Sequence, residues 1–333
     1  MKRLQRHAAV LALATAALTA SASLAAPAFA APLSAWSSQQ QVPSISSSVS
    51  PAEATAGATW YVAYTTSTGG IKYAIHTTGW WPKLRSVSGT GVTPSTTSSP
   101  AITVFSGDLY VFWINSSGQI RYSDLAGSTW QPTKSITGSW GTAESSATPA
   151  VTVASGELWI AYKGHTSDNI YYDELSGSGT WGNQQTAIKN VTNFSPSIAP
   201  TGLSAAPLAF AWTTAHNDIG YGILGFLGFE NIGTVPDAGT NAAPSLDFMS
   251  AAPGGTMYVA WKGTTTNKVF FNEVADFADS SFGPSTWKGQ ATLPDAETST
   301  GPAIIDSGTT LYAAYKAKST TNVYYESATT PAS

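Results

Sequence analysis

The sequence has no cysteine, and only 10% of its 333 residues are charged. The first absence excludes a disulfide scaffold and any zinc site built on thiolates. The second argues against helices, whose solvent faces normally carry Lys, Arg and Glu. Arginine is scarcest: beyond Arg3 and Arg6 the chain holds only Arg85 and Arg121. With no basic cluster, neither a nucleic-acid backbone nor an anionic membrane surface is an expected partner, since both are bound by neutralising their negative charge. There is no Gly-Lys-Ser/Thr phosphate cradle, no dinucleotide fingerprint and no Gly-x-Ser-x-Gly nucleophile turn, so no cofactor is expected. His76, His165 and His216 lack His-x-His spacing, and no metal site is expected either.

The first thirty residues read as a secretory signal peptide. Lys2, Arg3 and Arg6 form a basic start, Ala8 to Leu24 an apolar Ala-rich stretch, and Ala28-Phe29-Ala30 a small-x-small cleavage pattern. Thr15, Thr19, Ser21 and Ser23 interrupt the stretch, which is short for a membrane span of about 20 strongly apolar residues. No later segment approaches that length. Processing before Ala31 leaves 12 of the 15 bases against all 19 acids, in a chain expected to be secreted and extracellular.

What the chain has in abundance is aromatic: 12 Trp, 14 Tyr and 12 Phe, among many Ser, Thr and Gly. This composition suits pleated strands and supplies ample area to bury. The aromatics are periodic. Six strand-like segments end on Tyr64, Trp113, Tyr162, Trp212, Trp261 and Tyr315, at spacings of 49, 49, 50, 49 and 54. A small residue followed by Pro keeps the same phase upstream, at Pro51, Pro100, Pro149, Pro196, Pro244 and Pro302. Downstream, Ile/Val-x-aromatic ends at Tyr73, Tyr122, Tyr172, Tyr221, Phe271 and Tyr325, and a further strand opens on Trp81, Trp130, Trp181 or Trp287.

Each unit thus predicts a four-stranded antiparallel meander of about 50 residues, and six in series predict an all-β, six-bladed β-propeller forming one domain over 31–333. The blades run over about 46–95, 96–145, 146–193, 194–241, 242–298 and 299–333, the last completed by about 33–45. Copy six has no opening Trp after Tyr325, whereas Trp36 lies 45 residues before Trp81 with no copy of its own. The N-terminal strand is therefore expected to return and close the ring, which an open solenoid would not need.

The segments Ala161-Tyr162-Lys163-Gly164 with Asn169-Ile170-Tyr171-Tyr172, and Ala260-Trp261-Lys262-Gly263 with Lys268-Val269-Phe270-Phe271, resemble repeats of secreted bacterial propellers. These include sugar-binding, tectonin-like and fucose-lectin-like proteins and the sialidase-like propellers. The resemblance covers all six units and implies architecture more than activity. Sialidases use an arginine triad, which two arginines cannot supply, and Ser123 to Trp130 has the spacing of their Asp box wrong by one. Fucose-lectin propellers carry an Arg, a Glu and a Trp in most blades, whereas only blade two here offers Arg121, followed by Asp124.

The reading with most support is a lectin-like propeller that binds neutral saccharides without transforming them. Sugars stack apolar C–H faces on indole and phenol rings, and amides and hydroxyls read their hydroxyl groups. Candidate ligand-binding residues are Trp81, Arg121, Trp130, Trp181 and Trp287, the indoles because a position near a turn favours exposure. A second reading is a glycoside hydrolase or polysaccharide lyase with one central site using Glu174, Glu273 or Asp124, since glycoside hydrolysis needs two carboxyl groups about 5–10 Å apart. The same acids have a plainer explanation as cross-strand partners of Lys163, Lys262 and Lys316. A third reading is a protein-binding or inhibitor propeller. Blade four stands apart: its apolar, Gly-rich tail 222–230 lacks the opening Trp and is expected to be a contact between subunits of a homo-oligomer or a specialised loop.

Overall fold

The computed structural model describes residues 33, 35–77, 79, 81, 84–177, 179–204, 206–225, 228–250, 255–275 and 287–329; the expected signal peptide at 1–30 lies outside them. Among the described residues every regular element is a strand. They form six antiparallel blades, each a meander from an inner strand to an outer one.

Blade one comprises Ala52–Ala56, Thr59–Thr65, Ile71–His76 and Arg85–Ser86. Blade two comprises Ala101–Phe105, Asp108–Ile114 and Ile120–Ala126, with its fourth strand split into Thr129–Trp130 and Lys134–Ser135. Blade three runs through Ala150–Ala154, Glu157–Lys163, Ile170–Leu175 and Gln185–Ile188. Blade four has Ser197–Pro200, Leu208–Thr213, Asp218–Gly225 and a long outer strand, Gly228–Gly239. Blade five has Ser245–Met249, Thr256–Lys262, Lys268–Ala275 and Ala291–Glu297, and blade six Ala303–Asp306, Thr310–Lys316 and Asn322–Thr329.

The fourth strand of blade six is Gln40–Ser46, from the other end of the chain, as the unmatched Trp36 predicted. Gln40 pairs with Tyr325 and Gln41 with Tyr324, and Tyr325 donates its hydroxyl to Gln40 Oε1 at 2.6 Å. Each inner strand touches that of the next blade, and blade six's touches blade one's, so the ring is closed.

The recurrent small-residue–Pro pair starts each inner strand, and all six prolines line one end of the central channel, a cavity of about 170 Å³. An inner strand has no ladder partner on its axial edge, so a Pro without an N–H leaves no bond unmade there. Hydroxyls stitch neighbouring inner strands together: Ser50 Oγ donates to Gly301 O (2.8 Å), and the amides of Leu246 and Ile304 donate to Ser197 Oγ (2.9 Å) and Ser245 Oγ (3.0 Å).

The hydrophobic core is six wedges between blades, not one central mass. The last aromatics of the second strands, Tyr64 to Tyr315, are all at most 3% exposed and pack there.

Candidate functional site

The fourth-strand indoles do not reach solvent as expected. Trp130, Trp181 and Trp287 are 6%, 7% and 9% exposed, and Trp81 is partly buried. Each ring packs on the third-strand aromatic of the preceding blade. Trp130 meets Tyr73 (centroids 5.9 Å apart), Trp181 meets Tyr122 (5.8 Å), Trp287 meets Tyr221 (5.5 Å), Trp36 meets Phe271 (5.4 Å) and Trp81 meets Tyr325 (5.8 Å). Five of the six interfaces are closed by this edge-on or tilted pair, the arrangement that ring quadrupoles favour.

The sixth interface, between blades three and four, has no described ring contact of this kind from the fourth strand. By register the counterpart of Trp130, Trp181 and Trp287 is Phe229: Trp130 lies opposite Leu125, Trp181 opposite Leu175, Trp287 opposite Val274, and Phe229 opposite Leu224. Phe229 folds back on Phe210 of its own blade (4.8 Å) and makes no ring contact with Tyr172 among those described. Tyr172 is met edge-on instead by Phe210 of the second strand of blade four (6.1 Å), and beside it opens a cleft of about 540 Å³.

This cleft falls within the roughly 300–1,000 Å³ of ordinary ligand pockets, whereas the two cavities along the axis hold only about 170 and 220 Å³. A further cavity of about 320 Å³, beside the hairpins of blades one and two, is lined by Ser67, Thr68, Thr97, Asn115 and their neighbours, without an aromatic ring.

One wall of the cleft carries Trp159 and Tyr172, half-buried, with centroids 6.3 Å apart and planes inclined by 34°. Trp159 is fixed by its indole N–H, which donates to Ala154 O at 3.2 Å. Asn183 and Gln185 come from the outer edge of blade three, and Ser204, Pro207, Leu224 and Gly225 from blade four. Asp173 and Glu174 complete the lining. Asp173 is 2% exposed; one oxygen accepts the Glu174 amide at 2.8 Å, and the other is buried without a partner. Burial raises the pKa of both acids, and for Glu174 the adjacent carboxylates of Glu157 and Asp173 add to the rise.

The other expected acids lie elsewhere. Asp124 of blade two is buried and held by Lys134 at 3.1 Å. Glu273 of blade five is half-buried; burial raises its pKa, and Lys288 and the Tyr258 hydroxyl offset part of the rise. No described cavity is lined by two of Asp124, Glu174 and Glu273. Arg121 donates to Ser135 Oγ at 2.6 Å, tying the third strand of blade two to its fourth. His165 and His216 are exposed hairpin residues. Among the described residues no three His, Asp or Glu side chains are grouped to hold a metal ion.

Pairing of these acids with Lys163, Lys262 and Lys316 is also not found. The register puts Glu174 opposite Trp159 at one end of the strand pair and Lys163 opposite Ile170 at the other. The three ammonium groups donate instead to Ser146 Oγ (3.0 Å), Asn241 Oδ1 (2.7 Å) and Ser299 Oγ (2.8 Å), each fastening a hairpin to the linker that enters the same blade.

A second acidic group was not singled out from the sequence. Glu53, Asp247 and Asp306 belong to the inner strands of blades one, five and six and line the channel. Glu53 is 8% exposed with neither oxygen hydrogen-bonded; the Ala314 amide and Trp60 indole face it without closing a well-formed bond. Asp247 accepts the Asp306 amide. Burial lifts Glu53 well above its ordinary value, and Asp247 and Asp306 to about 7.

No protein-family profile matches the sequence, and no curated protein sequence is similar to it. Solved structures are similar in fold. A mutant of AofleA from Arthrobotrys oligospora superposes with a TM-score of 0.63 at 12% identity, covering 87% of this chain and 86% of that one. A mutant of Aleuria aurantia lectin in complex with Fucα1-6GlcNAc gives 0.62 at 15% identity, over 83% and 91%. The SapL1 lectin in complex with α-methyl fucoside gives 0.58 at 13%, over 81% and 89%. This chain therefore has the six-bladed β-propeller fold of sugar-binding lectins.

Proposed function

We propose that this protein is an exported lectin-like propeller that binds saccharides in the cleft between blades three and four and does not transform them. The observation that carries the reading is the aromatic wall of Trp159 and Tyr172, which no ring from the fourth strand of blade four covers among the described contacts, beside the amides of Asn183 and Gln185. An apolar sugar face stacks on such a wall while amides take its hydroxyls, so neutral hexoses are the baseline ligand class. The lectins of similar fold support carbohydrate as the partner. Hydrolysis is less well served. The two acids that line the cleft, Asp173 and Glu174, are neighbours on one strand and do not flank a bound sugar from two sides as a hydrolytic pair does. Export rests on the basic-apolar-small pattern of residues 1–30.

A glycan array on the processed chain, followed by calorimetry and product analysis on the best ligand, tests this reading. Stoichiometric binding with no new reducing ends is the expected result. Released reducing ends would establish a glycosidase, and silence across the array would remove the saccharide reading. A homo-oligomer built on the outer strand of blade four is part of the same proposal, supported by Ile232 at 59% exposure; sedimentation of wild type and Ile232→Lys checks it, a monomeric wild type counting against it.

A further inference from the structure

Resting on the saccharide-binding reading, we infer that the cleft between blades three and four selects sugars carrying a free ammonium group, such as 2-amino-2-deoxyhexose units.

The cleft is acidic, with no base among its described lining residues. Asp173 and Glu174 line it, Glu157 stands beside Glu174, and Glu230 lies at the rim, so close over Gly225 that a Cβ there would meet its Oε1 at 2.6 Å. None of the described lining residues is Lys, Arg or His. Elsewhere carboxylates find cations: Asp124 takes Lys134 (3.1 Å), Asp168 takes Lys163 (3.2 Å) and Glu297 takes Lys318 (3.4 Å). No ion pair is described for Glu157, Asp173, Glu174 or Glu230. Asp173 sharpens the contrast, being almost wholly buried with one oxygen lacking any donor. A buried acceptor without a donor is unfavourable, and a carboxylate gains most from a charged donor.

A sugar ammonium supplies what is missing. It brings three N–H donors and a positive charge, and it is joined to a ring whose apolar face fits Trp159 and Tyr172. Held near the indole, the same charge is attracted to the ring face. Acetylation of the amine abolishes both effects while leaving the ring and most hydroxyls unchanged. Oligomers of glucosamine, N-acetylglucosamine and glucose thus form a graded probe set.

Calorimetry at low salt and slightly acid pH, with tetramers of each sugar, is the test. The glucosamine tetramer is expected to bind at least about tenfold more tightly than the other two, with the preference shrinking as salt is added. Glu174→Gln should cut the preference below about threefold, Trp159→Ala should weaken all three ligands, and Asp218→Asn, an exposed acid at the hairpin end of blade four, should leave the preference unchanged. Equal affinity for amino and neutral sugars overturns the inference and leaves the saccharide reading standing. Binding of no sugar overturns both. A preference that survives Glu174→Gln, or that falls equally with Asp218→Asn, marks diffuse attraction to an acidic protein and also overturns it. Should Glu174→Gln fail to fold, Glu230→Gln at the exposed rim takes its place, read against Asp218→Asn with the same outcomes.

Discussion

Two tryptophans of similar sequence context do different work. Trp130 is 6% exposed and wedged on Tyr73 between blades one and two, whereas Trp159 is half-buried with a face on the cleft. Trp130→Ala is expected to cost about 3–5 kcal/mol, the usual range for an emptied core Trp, and urea unfolding measures it. Trp159→Ala should lower stability much less, yet weaken saccharide binding about tenfold or more; calorimetry with retained binding would refute its role. The sequence marks both as strand aromatics but not which one is covered. Covering depends on what the next blade brings, and that partner lies some 50 residues away in the chain. The same limit hid Glu53 and Asp247, which occupy ordinary alternating positions in short strands. Lys163 misled for a related reason: the recurrence of Lys with acid was real, but the antiparallel register puts the two at opposite ends of the hairpin.

Among the strands, the outer strand of blade four is the informative one. The repeat, its phase, the blade count and the returning N-terminal strand were all legible, because each rests on a residue type recurring at one spacing. The missing Trp of blade four was legible as well, but its consequence was not. Without a fourth-strand ring on Tyr172, Phe210 meets it from the second strand and Phe229 packs on Phe210, while Trp159 and Tyr172 wall the cleft on the neighbouring blade. Phe229→Trp restores the residue type found in the other blades. It should fill part of the cleft, reduce saccharide affinity about tenfold, and leave the melting temperature equal or higher, since added packing offsets the altered fit. A variant that still binds normally would show that the cleft does not owe its opening to this position.

For the molecule as a whole, the carboxylates around blade six set the response to pH. Asp306 and the Asp247 of blade five face each other across one interface, Glu53 of blade one stands on the other side, and Glu326, wholly buried, accepts the Tyr315 hydroxyl at 2.8 Å. Burial raises all four, Glu326 to about 6 and the two aspartates to about 7. The folded ring therefore holds more protons than the unfolded chain between about pH 4 and pH 7, so stability is fullest below that window and falls as pH rises through it. Each such group contributes a slope of at most about 1.4 kcal/mol per pH unit. Thermal unfolding from pH 4.5 to 8.5 should show the melting temperature declining toward neutrality, and Asp247→Asn should flatten the decline. A melting temperature that climbs over this range would contradict the assignment.

The clasp at blade six also fixes the order of events during synthesis. Gln40 and Tyr325, which bond across it, are separated by 285 positions, so the strand made first waits for the strand made last. Closing so long a loop is slow, and until it happens the two terminal blades lack their partner. Until the clasp closes, the outer edge of blade six is a strand without its neighbour, open to pairing with the same segment of another copy.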